Sequence, residues 1–438
     1  MLAPEEMRVF GTDNSRKFAM PLAVVRPRSL EQVRELLAFA HKEKLPLYPR
    51  GRGTNTVGAC VPGRPGVVVG SAFLDKILEI SPEDFVAVSQ PGVVTGTLAA
   101  AVAEKGLFYP PDPASVSFST IGGNAATCAG GMRAVKYGVT REYVLGLEAV
   151  LPGGEVINAG GRCHKNVAGL DLTRLIAGSE GTLAFITRLT LKLLPKPEAS
   201  ASLAASYDDL DAALAAAANV FASGILPTAM EIMGEEVLRA IAPLGTMPWP
   251  ANTRAALLLR ADGSARAVQA DAERLGTALS VPGLNHLETA TSPMAEKALW
   301  DLRGLINPAS FSLAPDKISD DATFPRGAIG KAIAGIREIG RRHNCLILLF
   351  GHLGDGNLHV NIMHDAADPG EAGHAAAARA EILELTLALG GTLTGEHGVG
   401  LSKLPFLPRQ FSPAEIALMR RIKAAFDPHG IMNPGKAY

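Results

Sequence analysis

The stretch that decides the fold runs from Pro110 to Pro152 and reads PPDPASVSFSTIGGNAATCAGGMRAVKYGVTREYVLGLEAVLP. It consists mainly of small or polar residues, with few large apolar side chains before Tyr143. Because such a segment buries little apolar surface of its own, we expect it to become ordered against something large and flat. Two more glycine-rich stretches flank it, namely PRGRGTNTVGA from Pro49 and GSEGTLAFITRLTLKLLP from Gly178.

The first of these stretches fits neither common nucleotide-binding loop. A Rossmann fingerprint opens a helix, but here the glycines lead into VPGRPG, which cannot be helical. A Walker loop ends in Lys-Ser or Lys-Thr, whereas Ala59 and Cys60 follow the last glycine. What remains is a non-helical turn whose amides and polar side chains at 54–56 suit a pyrophosphate. A purely structural glycine turn is the alternative.

Composition sets the outer limits. A chain of 438 residues exceeds one ordinary core, so we expect two domains or one domain with a large insertion. The net charge of -1 gives no broad field for nucleic acid or anionic lipid. The four cysteines form no C-x-x-C pair, which argues against an iron-sulfur cluster and a disulfide framework. We expect a cytoplasmic protein without a transmembrane segment, with any membrane association made through a partner.

The pattern of elements changes along the chain. Ser29 and Gln32 form a predicted capping box that opens a helix, and from Gly66 to about Pro195 strands are broken by glycine. A boundary is predicted at Pro195-Lys196-Pro197, after which strands such as MEIM, ALLLRA and CLILLFGHL alternate with long helices. Helical spacing occurs at about 208–221, 263–278, 293–304, 326–343 and 371–388. This alternation predicts a helix-backed sheet of α+β type, followed by a C-terminal helix and coil.

Two histidines flank an Asp-Gly pair in FGHLGDGNLHVNI, residues 350–362. If Asp355-Gly356 forms a two-residue hairpin turn, His352 lies directly opposite His359, with Cβ atoms about 5 Å apart. Both imidazoles are then close enough to bind one ion, and Asn361 shares their face of the sheet. A hydrogen-bonded structural pair of histidines is the alternative.

A second motif, GTLTGEHGVGLSK, supplies a carboxylate and a third histidine. Glu396 and His397 lie between Gly395 and Gly398, whose access to positive φ would let both side chains point into one cavity. Glu396 would complete a set of two histidines and one carboxylate, which suits Zn²⁺, with Mn²⁺ and Fe²⁺ as alternatives. His397 would then be available to accept a proton.

The three glycine-rich stretches, beginning at Pro49, Pro110 and Gly178, resemble in this order the FAD-binding domain of the vanillyl-alcohol oxidase family, also called the PCMH type. The sequences GHLGDGNLHVN and GEHGVG resemble its branch of D-lactate dehydrogenase, the glycolate oxidase flavoprotein subunit and D-2-hydroxyglutarate dehydrogenase. The resemblance spans about residues 20–435. It implies an α+β chain, with a PCMH-type FAD-binding domain of two α+β subdomains and a cap domain whose antiparallel sheet is backed by helices. The domains implied are 1–197 for FAD, 198–410 for substrate and metal, and 411–438 for a tail packing back on the first domain.

The resemblance also implies roles for individual residues. Members that attach flavin covalently in the first loop carry a histidine where Thr54 stands, so we expect non-covalent FAD. The metal ligands would be His352, His359 and Glu396, the catalytic base His397, and the substrate-binding residues Arg303, Lys317 and Asn361. For Arg303 and Lys317, simple solvation at the surface is the alternative. The residues implied to hold FAD are Arg50, Gly51, Arg52, Gly53, Thr54, Asn55, Thr56, Pro111, Asp112, Ser115, Thr120, Gly122, Gly123, Asn124, Thr127, Gly130, Glu180, Gly181 and Ile186.

The activity implied is oxidation of a small D-2-hydroxy acid, D-lactate or glycolate, to the 2-oxo acid. A relative acting on a dicarboxylate has a threonine where Asn307 stands, which favours the small substrate. The route is open between hydride transfer and a carbanion, since both use the same residues. Electrons would leave to an iron-sulfur protein, an electron-transfer flavoprotein or a quinone-linked partner. Two alternatives remain: an enzyme like alkyl-dihydroxyacetonephosphate synthase, and an electron-transfer subunit of a larger complex.

Overall fold

A computed structural model describes residues 3–438, and the chain divides into two compact units. The first unit comprises the described residues up to Gly131, with Gly138–Lys196 and Glu396–Tyr438. The second comprises Met132–Tyr137 and Pro197–Gly395. The division after Lys196 lies within the predicted Pro195–Pro197 boundary, whereas residues 396–410, expected in the second domain, belong to the first unit.

The strands are numbered in chain order. In the first unit they are β1 (Ala23–Val25), β2 (Leu47–Arg50), β3 (Val67–Gly70), β4 (Ile77–Ser81), β5 (Val86–Ser89), β6 (Leu107–Phe108), β7 (Val144–Val150), β8 (Val156–Gly160), β9 (Phe185–Lys192) and β10 (Leu194–Pro195). In the second unit they are β11 (Ala199–Tyr207), β12 (Ala229–Gly234), β13 (Ala255–Gly263), β14 (Leu284–Ala290), β15 (Asp316–Thr323), β16 (Leu346–His352) and β17 (Asn357–His364).

The helices are numbered in the same way. They are α1 (Pro4–Met7), α2 (Leu30–Glu43), α3 (Thr95–Ala103), α4 (Ile121–Thr127), α5 (Ala134–Tyr137), α6 (Leu172–Ile176), α7 (Leu210–Ala222), α8 (Glu235–Ile241), α9 (Ala265–Leu279), α10 (Pro293–Gly304), α11 (Ile306–Ser310), α12 (Ile329–Arg342), α13 (Pro369–Ala388), α14 (Leu407–Gln410) and α15 (Pro413–Phe426). None of the described helices is long and apolar enough to cross a membrane.

The first unit contains three sheets, of which the smallest is the antiparallel pair of β6 and β10. Strands β1, β3 and β2 form a parallel sheet in that order, and β4, β5, β9, β7 and β8 form an antiparallel one. The apolar face of α2, through Val33 and Leu37, packs with strand residues such as Val69 in one buried cluster. The C-terminal tail joins the same cluster through Ile431 and Met432, which explains why this tail belongs to the first unit.

The second unit is built around one antiparallel sheet in the order β14-β11-β13-β12-β16-β17-β15. Because side chains alternate along a strand, Leu358, Val360 and Ile362 of β17 enter a core shared with α7, α9, α12 and α13. The opposite face carries Phe350 and Met363 into a second core with α8, α10 and α11. Helices therefore back both faces, and the two histidines project from the second of these faces.

Candidate functional site

The connection between β16 and β17 places the two histidines. His352 pairs with Asn357, and His359 pairs with Phe350. The predicted two-residue turn, with His352 directly opposite His359, is therefore wrong: the loop spans residues 353–356 and the register is shifted by two. The loop is held by distant segments instead, because the amide of Gly354 donates to the carbonyl of Met230 and the carbonyl of Gly356 accepts from the amide of Phe324. Gly356 has positive φ but Asp355 does not, whereas the predicted turn requires positive φ at both. A shift of two residues keeps both imidazoles on one face, where they meet diagonally.

The two imidazoles are close enough to share an ion. Nε2 of His352 lies 3.3 Å from Nε2 of His359, and the ring centroids are 5.0 Å apart. Two nitrogens bound about 2.0–2.1 Å from one tetrahedral cation would be roughly 3.3 Å apart. The donor chemistry and spacing therefore fit a divalent cation, although a neutral pair sharing one hydrogen bond has the same spacing.

Glu396 brings the carboxylate to the histidines. It follows Gly395, the last residue of the second unit, whose amide donates to Asp321 at 2.9 Å. One ligand atom from each of His352, His359 and Glu396 lies within 4.8 Å of the others. In the described part of the chain, these three side chains form the group that could hold a metal ion.

Gly395 and Gly398 serve different purposes. Gly398 has φ +83°, as predicted, but Gly395 is not at positive φ. Gly395 is required for close packing instead, since a Cβ there would lie 2.3 Å from the hydroxyl of Thr323 and 2.7 Å from the amide carbon of Asn357. Both glycines therefore fix the backbone around Glu396 and His397.

His397 lies in a segment that is held within the first unit. Its carbonyl accepts from Asn55 Nδ2 at 2.8 Å, and its Nε2 is 3.9 Å from Glu396 Oε1. The amides of Val399 and Gly400 donate to the two carboxylate oxygens of Glu180 at 2.6 and 2.9 Å. Burial raises the pKa of Glu180 despite these bonds. Asn55 and Glu180, both predicted to hold FAD, thus position the segment that carries His397.

A glutamate that the sequence analysis missed lies behind His352. Glu231 of β12 pairs with His352 and is fully buried. Its Oε1 is 2.5 Å from His352 Nδ1, and its Oε2 accepts from Arg303 Nε at 2.7 Å. Burial alone would raise the pKa of Glu231, but the hydrogen bonds from these two partners and the positive charge of Arg303 hold it below its usual value. An acid inside the apolar strand MEIM was the signal that could have identified it.

The predicted substrate-binding residues take different positions. Arg303, in the last turn of α10, stacks over the Phe350 ring, 4.7 Å from its centroid, and meets Glu231 beside His352. Asn361 is 2 % exposed, and its Oδ1 has no hydrogen-bond partner in the described part of the chain. Lys317 donates to Asn307 Oδ1 at 2.6 Å and to Ser310 Oγ at 2.8 Å.

The first two glycine-rich stretches meet at Thr120. Its side chain accepts from the amide of Gly123 at the start of α4, and a Cβ on Gly51 would lie 2.6 Å from Thr120 Oγ1. Gly53 and Gly181 both have positive φ. Bare backbone from the first two stretches thus comes together, which fits a pyrophosphate.

Several predicted FAD residues also have structural partners. Arg50 donates to the carbonyls of Thr12 and Val9 at 2.6 and 3.1 Å. Asn124 donates to Thr95 Oγ1 at 2.7 Å, and Ile186 is buried in β9. Arg52 is exposed, and the remaining predicted residues, which are buried or half-buried, are Thr54, Thr56, Pro111, Asp112, Ser115, Gly122, Thr127 and Gly130.

Comparison with known proteins gives a consistent result. The domain described as FAD linked oxidases, C-terminal domain, matches residues 196–437, and the FAD binding domain matches residues 21–160. Glycolate oxidase subunit GlcD of Bacillus subtilis (strain 168) is 41% identical over 96% of this chain and 89% of its own length. D-lactate dehydrogenase of Anaerostipes hadrus is 33% identical over 99% of this chain and 91% of its own.

The fold has solved counterparts as well. The crystal structure of p-cresol methylhydroxylase with substrate bound superposes with a TM-score of 0.81 at 16% identity, covering 99% of this chain and 93% of that one. The predicted PCMH-type architecture with an antiparallel-sheet domain is confirmed. The chain is therefore a member of the FAD-linked oxidases, flavoprotein oxidoreductases whose FAD-binding and C-terminal domains it carries.

Proposed function

We propose that this protein uses non-covalently bound FAD and a divalent cation to oxidise a small 2-hydroxy acid, D-lactate or glycolate, to the 2-oxo acid. The observation that carries the proposal is the grouping of His352, His359 and Glu396. The names of its relatives, glycolate oxidase subunit and D-lactate dehydrogenase, support the substrate class. Zn²⁺ suits two imidazoles and a carboxylate best, and Mn²⁺ or Fe²⁺ are the alternatives.

The oxidation breaks the C–H and O–H bonds of the hydroxyl-bearing carbon and forms a C=O bond. When bound, FAD would supply the acceptor for two electrons, and the cation would make the substrate hydroxyl more acidic. His397 is proposed as the base that takes the hydroxyl proton, since an imidazole changes charge near neutral pH. The protein must in addition bind the substrate carboxylate and orient it.

Arg303, Lys317 and Asn361 are proposed to bind the substrate. Arg303 is anchored through Nε alone in its bond to Glu231, and a guanidinium carries further N–H donors suited to a carboxylate. Asn307 accepts a hydrogen bond from Lys317, and therefore occupies part of the space beside this cation. This arrangement favours a substrate with one carboxylate over a dicarboxylate.

The electrons must leave the flavin for an acceptor outside this chain. Its four cysteines form no C-x-x-C pair, which argues against an iron-sulfur relay within this chain. We propose an iron-sulfur protein, an electron-transfer flavoprotein or a quinone-linked protein as the partner. The word subunit in the name of one relative supports such an assembly.

The test is a substrate screen with an artificial dye as electron acceptor. Purified flavin-loaded protein is assayed with D-lactate, L-lactate, glycolate and D-2-hydroxyglutarate. We expect the highest kcat/KM with D-lactate or glycolate. A flavin-loaded, metal-replete protein that reduces the dye with none of these acids would contradict the proposal, and a preference for L-lactate or D-2-hydroxyglutarate would contradict the proposed substrate.

A further inference from the structure

Glu231 connects two residues with different proposed roles. It is fully buried in β12, directly opposite His352 of β16. One carboxylate oxygen meets His352 Nδ1 at 2.5 Å and the other meets Arg303 Nε at 2.7 Å. We propose that Glu231 is a positioning residue that aligns the cation-binding histidine and the substrate-binding arginine together; this inference rests on the proposed function.

The first effect is on the histidine ring. An ionised carboxylate only accepts hydrogen bonds, so the contact with Glu231 requires Nδ1 of His352 to carry a proton and donate it. The neutral ring then has its lone pair on Nε2, which is the nitrogen that lies 3.3 Å from His359 Nε2. Glu231 therefore selects the tautomer and ring orientation that can bind a cation at Nε2.

The second effect is on the arginine. The guanidinium of Arg303 is fixed at its edge by Glu231 and across its face by Phe350, whose ring centroid is 4.7 Å from Cζ. The same Phe350 ring lies 5.2 Å from the ring of His359. Glu231 and Phe350 thus restrict Arg303 to one orientation beside both histidines, which reduces the disorder that substrate binding must overcome.

The burial of Glu231 also points to a role at this site. A carboxylate withdrawn from water is costly unless it is paired, and replacing such a pair by apolar groups is often neutral for stability. Both groups that pair with Glu231 belong to residues with a proposed cation or substrate role. We infer that the carboxylate serves the orientation of these groups.

The experiment compares Glu231→Gln with the parent chain. An amide can donate to Nδ1 and so stabilise the other tautomer, in which Nε2 carries the proton and cannot bind a cation. Metal-free, flavin-loaded proteins are titrated with Zn²⁺ alone in competition with a chromophoric chelator. We expect Zn²⁺ to bind about 10–100-fold more weakly to Glu231→Gln. At saturating Zn²⁺, we expect KM for the hydroxy acid to rise by a larger factor than kcat falls, because Arg303 keeps only a neutral acceptor in place of a charged one.

Glu231→Asp and Glu296→Gln complete the design. Glu231→Asp keeps the charge on a shorter side chain, so an intermediate Zn²⁺ affinity is expected. Glu296 is a matched control, since it is also buried in the second unit and accepts from Ser200 and Ser202 at 2.6 Å each, with Arg260 nearby. Glu296→Gln should bind Zn²⁺ as the parent does. The fluorescence of Trp249 and Trp300, both in the second unit, shows whether each variant is folded.

Equal Zn²⁺ affinity and equal KM in the parent and Glu231→Gln would overturn the assignment. If Glu231→Gln is isolated without flavin, Glu231→Asp takes its place, and unchanged affinity and KM in that variant would also overturn it. Failure of the parent chain itself to bind Zn²⁺ is a separate result, which would overturn the proposed function together with this inference.

Discussion

The carboxylate of Asp321 holds the amide of Gly395, the residue that precedes Glu396, at 2.9 Å. Thr394 Oγ1 donates to the same carboxylate at 3.1 Å. Asp321 is fully buried and pairs with His359 across β15 and β17. One pair of strands therefore supplies a histidine of the candidate metal centre and anchors the backbone that leads to its carboxylate.

Asp321→Asn should weaken this anchor. The amide has one accepting oxygen instead of two and no charge, so we expect the free energy of unfolding to fall by about 1–3 kcal/mol. Zn²⁺ affinity should also fall, because Glu396 is no longer fixed. Urea unfolding and Zn²⁺ titration measure the two effects. Asp316→Asn is the control, since Asp316 accepts the amide of Ala366 at the other end of β15; equal effects of the two variants would refute the anchoring role.

His397→Asn should separate proton transfer from metal binding. Asparagine cannot accept the substrate proton, so we expect kcat to fall by roughly 10²–10⁴-fold. FAD and metal content should stay at the parent level, because His397 is not proposed as a ligand of the cation. Dye reduction and elemental analysis test this prediction. A variant that loses its metal together with its activity would show that His397 binds the cation.

Gly51→Ala should impair the binding of FAD. The added methyl would lie 2.6 Å from Thr120 Oγ1, so either Thr120 loses its bond to the amide of Gly123 or the glycine loop moves. Loss of a helix cap costs about 1 kcal/mol, so we expect FAD to bind about 5- to 10-fold more weakly. Gly161→Ala is the control, because nothing lies within 4 Å of a Cβ there. Equal flavin content of both purified variants would contradict this prediction.

Asp262 should stabilise the second unit in a pH-dependent manner. Its side chain accepts from Lys136 Nζ at 2.5 Å and Tyr137 hydroxyl at 2.9 Å. Burial would raise the pKa of Asp262, but these bonds outweigh it, so the pKa lies below the usual value. Asp262→Asn should therefore lower the free energy of unfolding by about 1–3 kcal/mol at pH 7.

The difference in the free energy of unfolding between Asp262→Asn and the parent should narrow as the pH falls below about 4. In that range the Asp262 carboxylate binds a proton in the unfolded chain before it does so in the folded one. Tryptophan fluorescence in urea reports on the second unit, because Trp249 and Trp300 both belong to it. Asp271→Asn, which removes the partly exposed pair with Arg274, should change stability by less than about 0.5 kcal/mol. If Asp262→Asn lowers the free energy of unfolding by the same amount at pH 7 and below about pH 4, the ionic contribution is refuted.

Local patterns predicted much of the fold. The helix expected after Ser29 runs over Leu30–Glu43, and Ser29 Oγ accepts from the amide of Gln32 at 3.3 Å. The second half of the capping box is absent, because the Gln32 side chain accepts from the amide of Arg28 instead. The strand β15 was not predicted, since DKISDDAT has too few apolar residues to show an alternating pattern.

The candidate site was harder to predict in detail. The residues His352, His359 and Glu396 could be selected from their chemistry, but their geometry depends on distant contacts. The hairpin register was wrong by two residues, because the amide of Gly354 and the carbonyl of Gly356 form hydrogen bonds with segments distant in sequence. Glu231 was missed for a similar reason, because the sequence does not show that β12 pairs with β16.

Removal of the metal tests the central claim most directly. Flavin-loaded protein is treated with a chelator, the residual metal is measured, and dye reduction is assayed with D-lactate and glycolate before and after Zn²⁺ or Mn²⁺ is returned. We predict that turnover is lost with the metal and restored on its return, while flavin absorbance near 450 nm stays constant. Full activity in protein shown to be metal-free would contradict the account, and the two histidines would then be a structural hydrogen-bonded pair.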